Sequence, residues 1–361
     1  MTDIFDTYLK AKSTKESYRY IWKIFLKYLN ISEKEILDLD RKEQEQKIID
    51  YVAFLKNENR SPTTIKLRLN IIQFAFSMND IVLNWKKLKR MTPERVKPTG
   101  MDTWSDQEIR EMLKVAGTVR NSALIYFFAS VGCRVTAMTE IKLKDIEDFE
   151  DCICVMIYAG YPEEYPSFLT PEATKMIKYY LKVRDERGEK LTPESPLFAS
   201  EAVVNKIDPR YETPIPITKQ ATTSAFNRIF GKFPNSRKKQ GFRYNIQVTH
   251  GFRKWQATKL KLKIDVHHSI SERLLGHKAG LDSNYFVTNS KEAKLQLFEA
   301  FKKCIPDLTL DKSQYIEDSQ KQQEQIRELT EKYEKALLSL KIIQDGLKNN
   351  SKIGFVDDDS M

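Results

Sequence analysis

The chain has 361 residues and a mass of 42.3 kDa, more than one typical hydrophobic core organises, so two domains plus an appendage are expected. Its 41% hydrophobic and 30% charged residues are the balance of a soluble globular protein, and no apolar run approaches the roughly 18 to 20 residues that span a bilayer. Four cysteines (Cys133, Cys152, Cys154, Cys304) are too few for a disulfide framework and are not spaced as zinc ligands, so a reducing cytoplasm, no export signal and no metal are expected.

Residues 1–92 read as a small all-helical domain. A Ser13-x-x-Glu16 capping box precedes YRYIWKIFLKYL, where Tyr20, Ile21, Phe25 and Leu29 recur at helical spacing. Ser61-Pro62 supplies an N-cap and a first-turn proline for TTIKLRLNIIQFAFSM. A basic cluster, WKKLKRMTPERVKP, carries Lys86, Lys87, Lys89 and Arg90 into Pro93 and Pro98-Thr99-Gly100, punctuation that marks residues 93–104 as a linker. A second capping box, Ser105-x-x-Glu108, opens the next domain, expected over 105–306.

Within that domain SALIYFFASVG is apolar on all sides and predicts a buried helix ended by Gly132, with Arg134 at the turn that follows. Cys152 to Ile157 predicts a strand and YAGYPEEYPSFLT a hairpin or meander with Ala159-Gly160 at its tip. Helix returns at Pro171 and stops at Gly188. The fold class is therefore mainly α with a small β-sheet, of the α+β kind. Over 307–348 the residues Ile326, Leu329, Tyr333, Ala336, Leu340, Ile343 and Leu347 alternate steps of three and four, predicting an amphipathic helix or a short coiled coil. The tail, 349–361, has a disordered composition.

Charge is distributed unevenly. The net charge is +10 and the pI about 9.1. From Thr213 to Ile264 there are twelve Lys or Arg and no Asp or Glu. An acid-free stretch of that length points to a polyanionic partner. Its expected nucleic-acid contacts are Lys232, Arg237, Lys238, Lys239, Arg243 and Lys254, joined by Lys86, Lys87, Lys89 and Arg90 of the first cluster.

Breaking a phosphodiester without metal or nucleotide requires fixed cations for the extra negative charge of the transition state, a nucleophile, and a proton for the leaving alkoxide. Guanidinium forks suit the phosphate best. The sequence offers Arg134 after the buried helix, then His250-Gly-Phe-Arg253, Leu275-Gly276-His277 and Tyr285. His250 and Arg253, three apart, share one helix face. Tyr285 lies in a polar segment, LDSNYFVTN, where a tyrosine is not expected to fill a core. No Walker-type phosphate loop is present.

The segments Ala129-Ser-Val-Gly-Cys-Arg134, Thr249-His250-Gly-Phe-Arg253-Lys254-Trp255, Leu274-Leu-Gly-His277 and Ser283-Asn-Tyr285 resemble tyrosine recombinases and phage-type integrases, most of all the Xer-like integrases of archaea and their mobile elements. The resemblance covers roughly residues 1 to 305, including a helical core-binding domain that clamps DNA. It implies that Arg134 and Arg253 clamp the scissile phosphate, that His250 assists proton transfer, and that His277 hydrogen-bonds a phosphate oxygen. Tyr285 would attack to give a 3′-phosphotyrosyl link and a free 5′-hydroxyl, with no cofactor. The implied partners are double-stranded DNA carrying a short inverted-repeat site and further copies of the chain, as dimer or tetramer, on a cytoplasmic nucleoid.

In one place the sequence departs from the family. Tyrosine recombinases usually keep a general-acid lysine in the hairpin after the first arginine, whereas here no Lys or Arg lies between Lys144 and Lys175. Lys142, Lys144 and Lys219 are the candidates for that role. Two alternatives to an active recombinase follow, a catalytically impaired DNA-binding or architectural protein on the same scaffold, and a type IB topoisomerase-like activity.

Overall fold

The computed structural model describes residues 4–94, 102–200, 214–233, 237–240, 243–277, 290–311 and 327–340. The chain divides into two compact units, residues 1–101 with 238–245, and residues 102–237 with 246–361.

In the first unit the helices are α1 (Ile4–Tyr8), α2 (Lys12–Leu29), α3 (Glu33–Asp38), α4 (Arg41–Asn57), α5 (Pro62–Met78) and α6 (Trp85–Arg90). Their core joins Trp22 and Phe25 of α2, Tyr51 and Val52 of α4, and Ile65, Leu69 and Phe76 of α5. As expected, Ser61 caps α5 with Pro62 in the first turn. The expected cap at Ser13 is corrected: α2 starts at Lys12, because the amides of Thr14 and Lys15 both bond to the Ala11 carbonyl, and Ser13 lies inside the first turn. Tyr20 is 67% exposed, so the buried stripe of α2 is Ile21, Trp22 and Phe25.

The second unit starts with α7 (Asp106–Lys114), opened by the reciprocal Ser105/Glu108 box, and α8 (Val119–Val131). Helix α8 is buried along nearly its whole length, as an all-round apolar sequence demands. Gly132 ends it in the left-handed conformation, φ 57°, and α9 (Val135–Glu140) follows with Arg134 at its N-cap position. A β1 (Ile146–Phe149), β2 (Cys152–Ile157), β3 (Tyr165–Leu169) meander comes next, antiparallel throughout, with Val155 opposite Ile146 and Ser167. Both faces of β2 and β3 are covered. Helix α10 (Pro171–Glu186) packs on α8, and the aromatic rings of Phe149, Phe168 and Phe298 meet beneath the sheet.

The remaining elements are α11 (Lys219–Lys232), β4 (Lys239–Gln240), β5 (Arg243–Tyr244), α12 (Val248–Leu262), α13 (His268–Leu274), α14 (Lys291–Lys302) and α15 (Ile305–Leu308). The core of this unit runs past 306: Leu308 and Leu310 are buried in it, and the Glu172 carboxylate accepts the amides of Leu310 and Asp311 at 2.7 and 3.1 Å. Residues 327–340 are helical, with Leu329, Tyr333 and Leu340 exposed. Ala336 is exposed there too, whereas the heptad positions Ile326, Ile343 and Leu347 and the tail 349–361 lie outside the described residues. No helix among the described residues is long and apolar enough to cross a membrane.

Candidate active site

Helix α12 carries His250 and Arg253, and its placement is fixed by two tryptophans. Trp104 donates its indole N–H to the Val248 carbonyl at 3.2 Å and lies against Gly251 so closely that a β-carbon there would overlap the ring. Trp255 donates to Asp106 Oδ1 at 2.8 Å, tying the middle of α12 to the start of α7. On the opposite side Gln256, fully buried, donates to the Ser130 carbonyl at 2.7 Å and lies against Gly132. Helix α12 is thus locked to the end of α8 just where the chain turns to Arg134.

Arg253 is 5% exposed and ties three segments together. Its Nη1 donates to the Gly132 carbonyl at 2.8 Å, and its Nη2 donates to the Leu275 carbonyl at 2.6 Å and lies 2.8 Å from His277 Nε2. A guanidinium has five N–H donors, so this arrangement orients the fork without exhausting it. His277 Nδ1 lies 2.6 Å from Glu272 Oε2. A carboxylate only accepts, so the imidazole proton sits on Nδ1 and Nε2 accepts from Arg253. His277, expected to bond a phosphate oxygen, has its Nε2 committed to Arg253. Burial raises the Glu272 carboxyl, but hydrogen bonds from Lys261 and His277 hold it below the ordinary range, so it stays a carboxylate.

Arg134, Lys219 and His250 line one cleft of about 300 Å³, together with Cys133, Val135, Thr136, Gln247 and Thr249. Arg134 is exposed and, among the described residues, makes no hydrogen bond or ion pair. His250 is held below its ordinary value by partial burial, then by the charges of Lys254, Arg253 and Arg134, which keeps it neutral at pH 7. Burial pushes the Cys133 thiol up to about 12, so it stays protonated and is no competing nucleophile.

The other two lysine candidates lie elsewhere. Lys142 Nζ and Lys144 Nζ grip the two oxygens of Glu194 at 2.9 and 2.6 Å, holding that carboxyl down at about 2. They line a separate cavity of about 640 Å³ bordered by Ala159, Gly160 and Tyr161 of the β2–β3 turn. Gly160 takes φ 80° at the tip, as its sequence position suggested, and its amide donates to Glu164 at 2.5 Å, so this carboxylate is spent closing the turn. Tyr285, the expected nucleophile, lies outside the described residues.

The expected phosphate contacts divide between the two units. In the first, Lys86, Lys87, Lys89 and Arg90 are exposed on α6, with Lys87 3.2 Å from Glu45. Lys238, Lys239 and Arg243 are exposed on the β4–β5 hairpin, which groups with that unit. In the second, Lys232 is exposed at the end of α11 and Lys254 is half-buried one turn after His250. Arg237 is used within the fold: its guanidinium covers the Phe230 ring at 5.0 Å and its Nε donates to the Ile246 carbonyl at 2.8 Å. No group of three or more His, Cys, Asp or Glu able to hold a metal occurs among the described residues. Sequence reasoning missed Glu272, Gln256 and Trp104, whose roles depend on tertiary partners.

The fold, mainly α with a small three-stranded antiparallel sheet, is the one found in solved tyrosine recombinases and integrases. A lambda integrase dimer bound to a COC′ core site superposes with a TM-score of 0.55 at 17% identity, covering 80% of this chain and 95% of that one. The Tn1549 transposon integrase in complex with transposon right end DNA gives 0.53 at 14% identity, covering 82% and 96%. XerH site-specific recombinase bound to a palindromic difH substrate, in a post-cleavage complex, gives 0.51 at 17% identity, covering 80% and 79%. No protein-family model and no curated protein matches the sequence.

Proposed function

We propose that the chain is a site-specific DNA recombinase or integrase that breaks and rejoins strands through a 3′-phosphotyrosyl intermediate on Tyr285, without metal or ATP. The observation that carries this reading is the cleft that Arg134, Lys219 and His250 line together from segments far apart in sequence, with Arg253 three residues after His250 on α12 and bonded to the Gly132 carbonyl two residues before Arg134. Cations converging beside a neutral imidazole match the needs of a phosphoryl transfer, in which charge develops on the non-bridging oxygens and a phenol must lose its proton. Arg134 and Arg253 hold the phosphate, His250 takes the phenol proton, and His277 with Glu272 keeps Arg253 in place.

Structural neighbours bound to DNA as dimers, and a lambda integrase tetramer bound to a Holliday junction at TM-score 0.54, support a duplex partner and self-association on DNA. The expected site is a short inverted repeat, since two copies related by a two-fold axis read two half-sites. Residues 1–92 serve as the core-binding domain and the unit that follows as the catalytic domain, working in the cytoplasm on the nucleoid.

The test is to incubate the full chain with fragmented genomic DNA, recover covalent protein–DNA complexes and sequence them. The wild type should yield Tyr285-dependent adducts at a recurring sequence, and Tyr285→Phe should yield none. Absence of adducts with the wild type favours the purely architectural protein, and adducts scattered without sequence preference favour a topoisomerase-like activity.

A further inference from the structure

We propose that Lys219 is the general acid of strand cleavage, supplied from the first turn of α11 rather than from the β2–β3 hairpin. This rests on the phosphotyrosyl reading above and adds the residue that reading lacks. Three observations converge. The hairpin tip, Tyr158 to Glu164, contains no lysine, and its own glutamate closes the turn. Lys142 and Lys144 are both bound to Glu194 and face a different cavity. Lys219 is exposed at the first helical position after the Thr218 cap, and its ammonium has no partner among the described residues. It lines the cleft with Arg134, Thr136, Gln247, Thr249 and His250.

The chemistry selects a lysine there. When the Tyr285 phenol oxygen bonds to phosphorus, the bond from phosphorus to the 5′-oxygen breaks and its electron pair leaves on that oxygen. The alkoxide takes a proton from the Lys219 ammonium and becomes the 5′-hydroxyl, while the phenol proton passes to neutral His250. Rejoining reverses both transfers, so the two groups exchange protons with the substrate without net consumption. Arg134, which lines the same cleft, cannot fill this role because a guanidinium with a pKa above about 12 does not release its proton. Cation and acid are thereby divided between two side chains of one cleft.

The test compares the wild type, Lys219→Ala, Lys219→Arg, Lys142→Ala and Tyr285→Phe on a duplex carrying the sequence recovered by covalent trapping. It is made once with an ordinary phosphodiester and once with sulfur in place of the bridging 5′-oxygen. A thiolate leaves without protonation, so loss of the acid matters only for oxygen. Lys219→Ala and Lys219→Arg should cleave the oxygen substrate about 100-fold to 10,000-fold more slowly, the usual worth of a general acid. On the sulfur substrate both should return to within about tenfold of the wild type, and Lys142→Ala should match the wild type on each substrate. Equal loss on both substrates makes Lys219 a phosphate-binding cation and overturns the inference, as does unchanged cleavage of the oxygen substrate by Lys219→Ala. In both cases the Tyr285-dependent adduct persists and the parent reading stands. If the wild type forms no Tyr285-dependent adduct on either substrate, both readings fall.

Discussion

Replacing Gly132 with alanine probes the joint that holds the arginine pair, and the structure gives its size. Gly132 sits at φ 57°, where an L-residue costs about 1 to 2 kcal/mol. The added β-carbon would come within 2.8 Å of Gln256 Cδ, and Gln256 cannot swing away because it is buried and bonded to Ser130. Overpacking of that kind costs about 1 to 3 kcal/mol, so the substitution should destabilise the second unit by about 2 to 5 kcal/mol. The assay is chemical denaturation of the full-length protein, repeated in a Gln256→Ala background. Removing Gln256 has its own cost, but it opens the space the methyl needs. Gly132→Ala should therefore cost about 1 to 3 kcal/mol less there, leaving mainly the backbone strain. Additivity of the two substitutions within about 0.5 kcal/mol would refute the packing argument. Because the Gly132 carbonyl also holds Arg253, DNA cleavage by Gly132→Ala should fall even under conditions where the variant is folded.

Three further expectations follow from the same geometry. Glu189→Ala should destabilise the second unit by about 3 to 5 kcal/mol in denaturant titrations, because it removes the counter-charge 2.7 Å from the buried Arg184 guanidinium and leaves it only the Pro196 and Leu197 carbonyls as acceptors among the described residues; a change under about 1 kcal/mol would show that those two carbonyls suffice. His277→Ala should lower the cleavage rate far more than DNA affinity, since it frees Arg253 Nη2 while leaving the surface cations in place. Glu272→Gln should have a smaller effect in the same direction, and equal losses of affinity and rate would contradict the positioning role. The acid limb of the cleavage rate should lie below pH 6.5, because burial and the Lys254, Arg253 and Arg134 charges favour neutral His250, the form that accepts the phenol proton. Lys254→Ala should move that limb upward, and a wild-type limb at or above pH 6.5 would exclude His250 as the base.

What could be read from the sequence was local. The uniformly apolar SALIYFFASVG announced α8, its terminal glycine announced the left-handed stop, and the spacing of His250 and Arg253 placed both on one face of α12. Capping logic succeeded at Ser61 and Ser105 and failed at Ser13, where the hydrogen-bond ladder begins at the Ala11 carbonyl. Amphipathic spacing placed Ile21 and Phe25 in the core but could not tell that Tyr20 sits beyond the edge of the buried stripe.

The engagement of Lys142 and Lys144 was invisible because it depends on Glu194, distant in sequence yet positioned by the fold between them. The same holds for Arg237, basic and in the acid-free stretch, whose side chain the fold spends on Phe230 and Ile246. His277 illustrates the point chemically. Its position beside the glycine turn was evident, but its partner could be assigned only once Glu272 and Arg253 were seen on either side of the ring.

The central claim is that Tyr285 becomes esterified to DNA, and mass mapping of the covalent complex tests it most directly. After nuclease and protease digestion of the trapped wild-type complex, the peptide containing Tyr285 should carry the mass of a nucleotide joined through its 3′-phosphate, and the opposite DNA fragment should end in a 5′-hydroxyl. A nucleotide on any other residue, or a 5′-phosphate on the released end, would contradict the account.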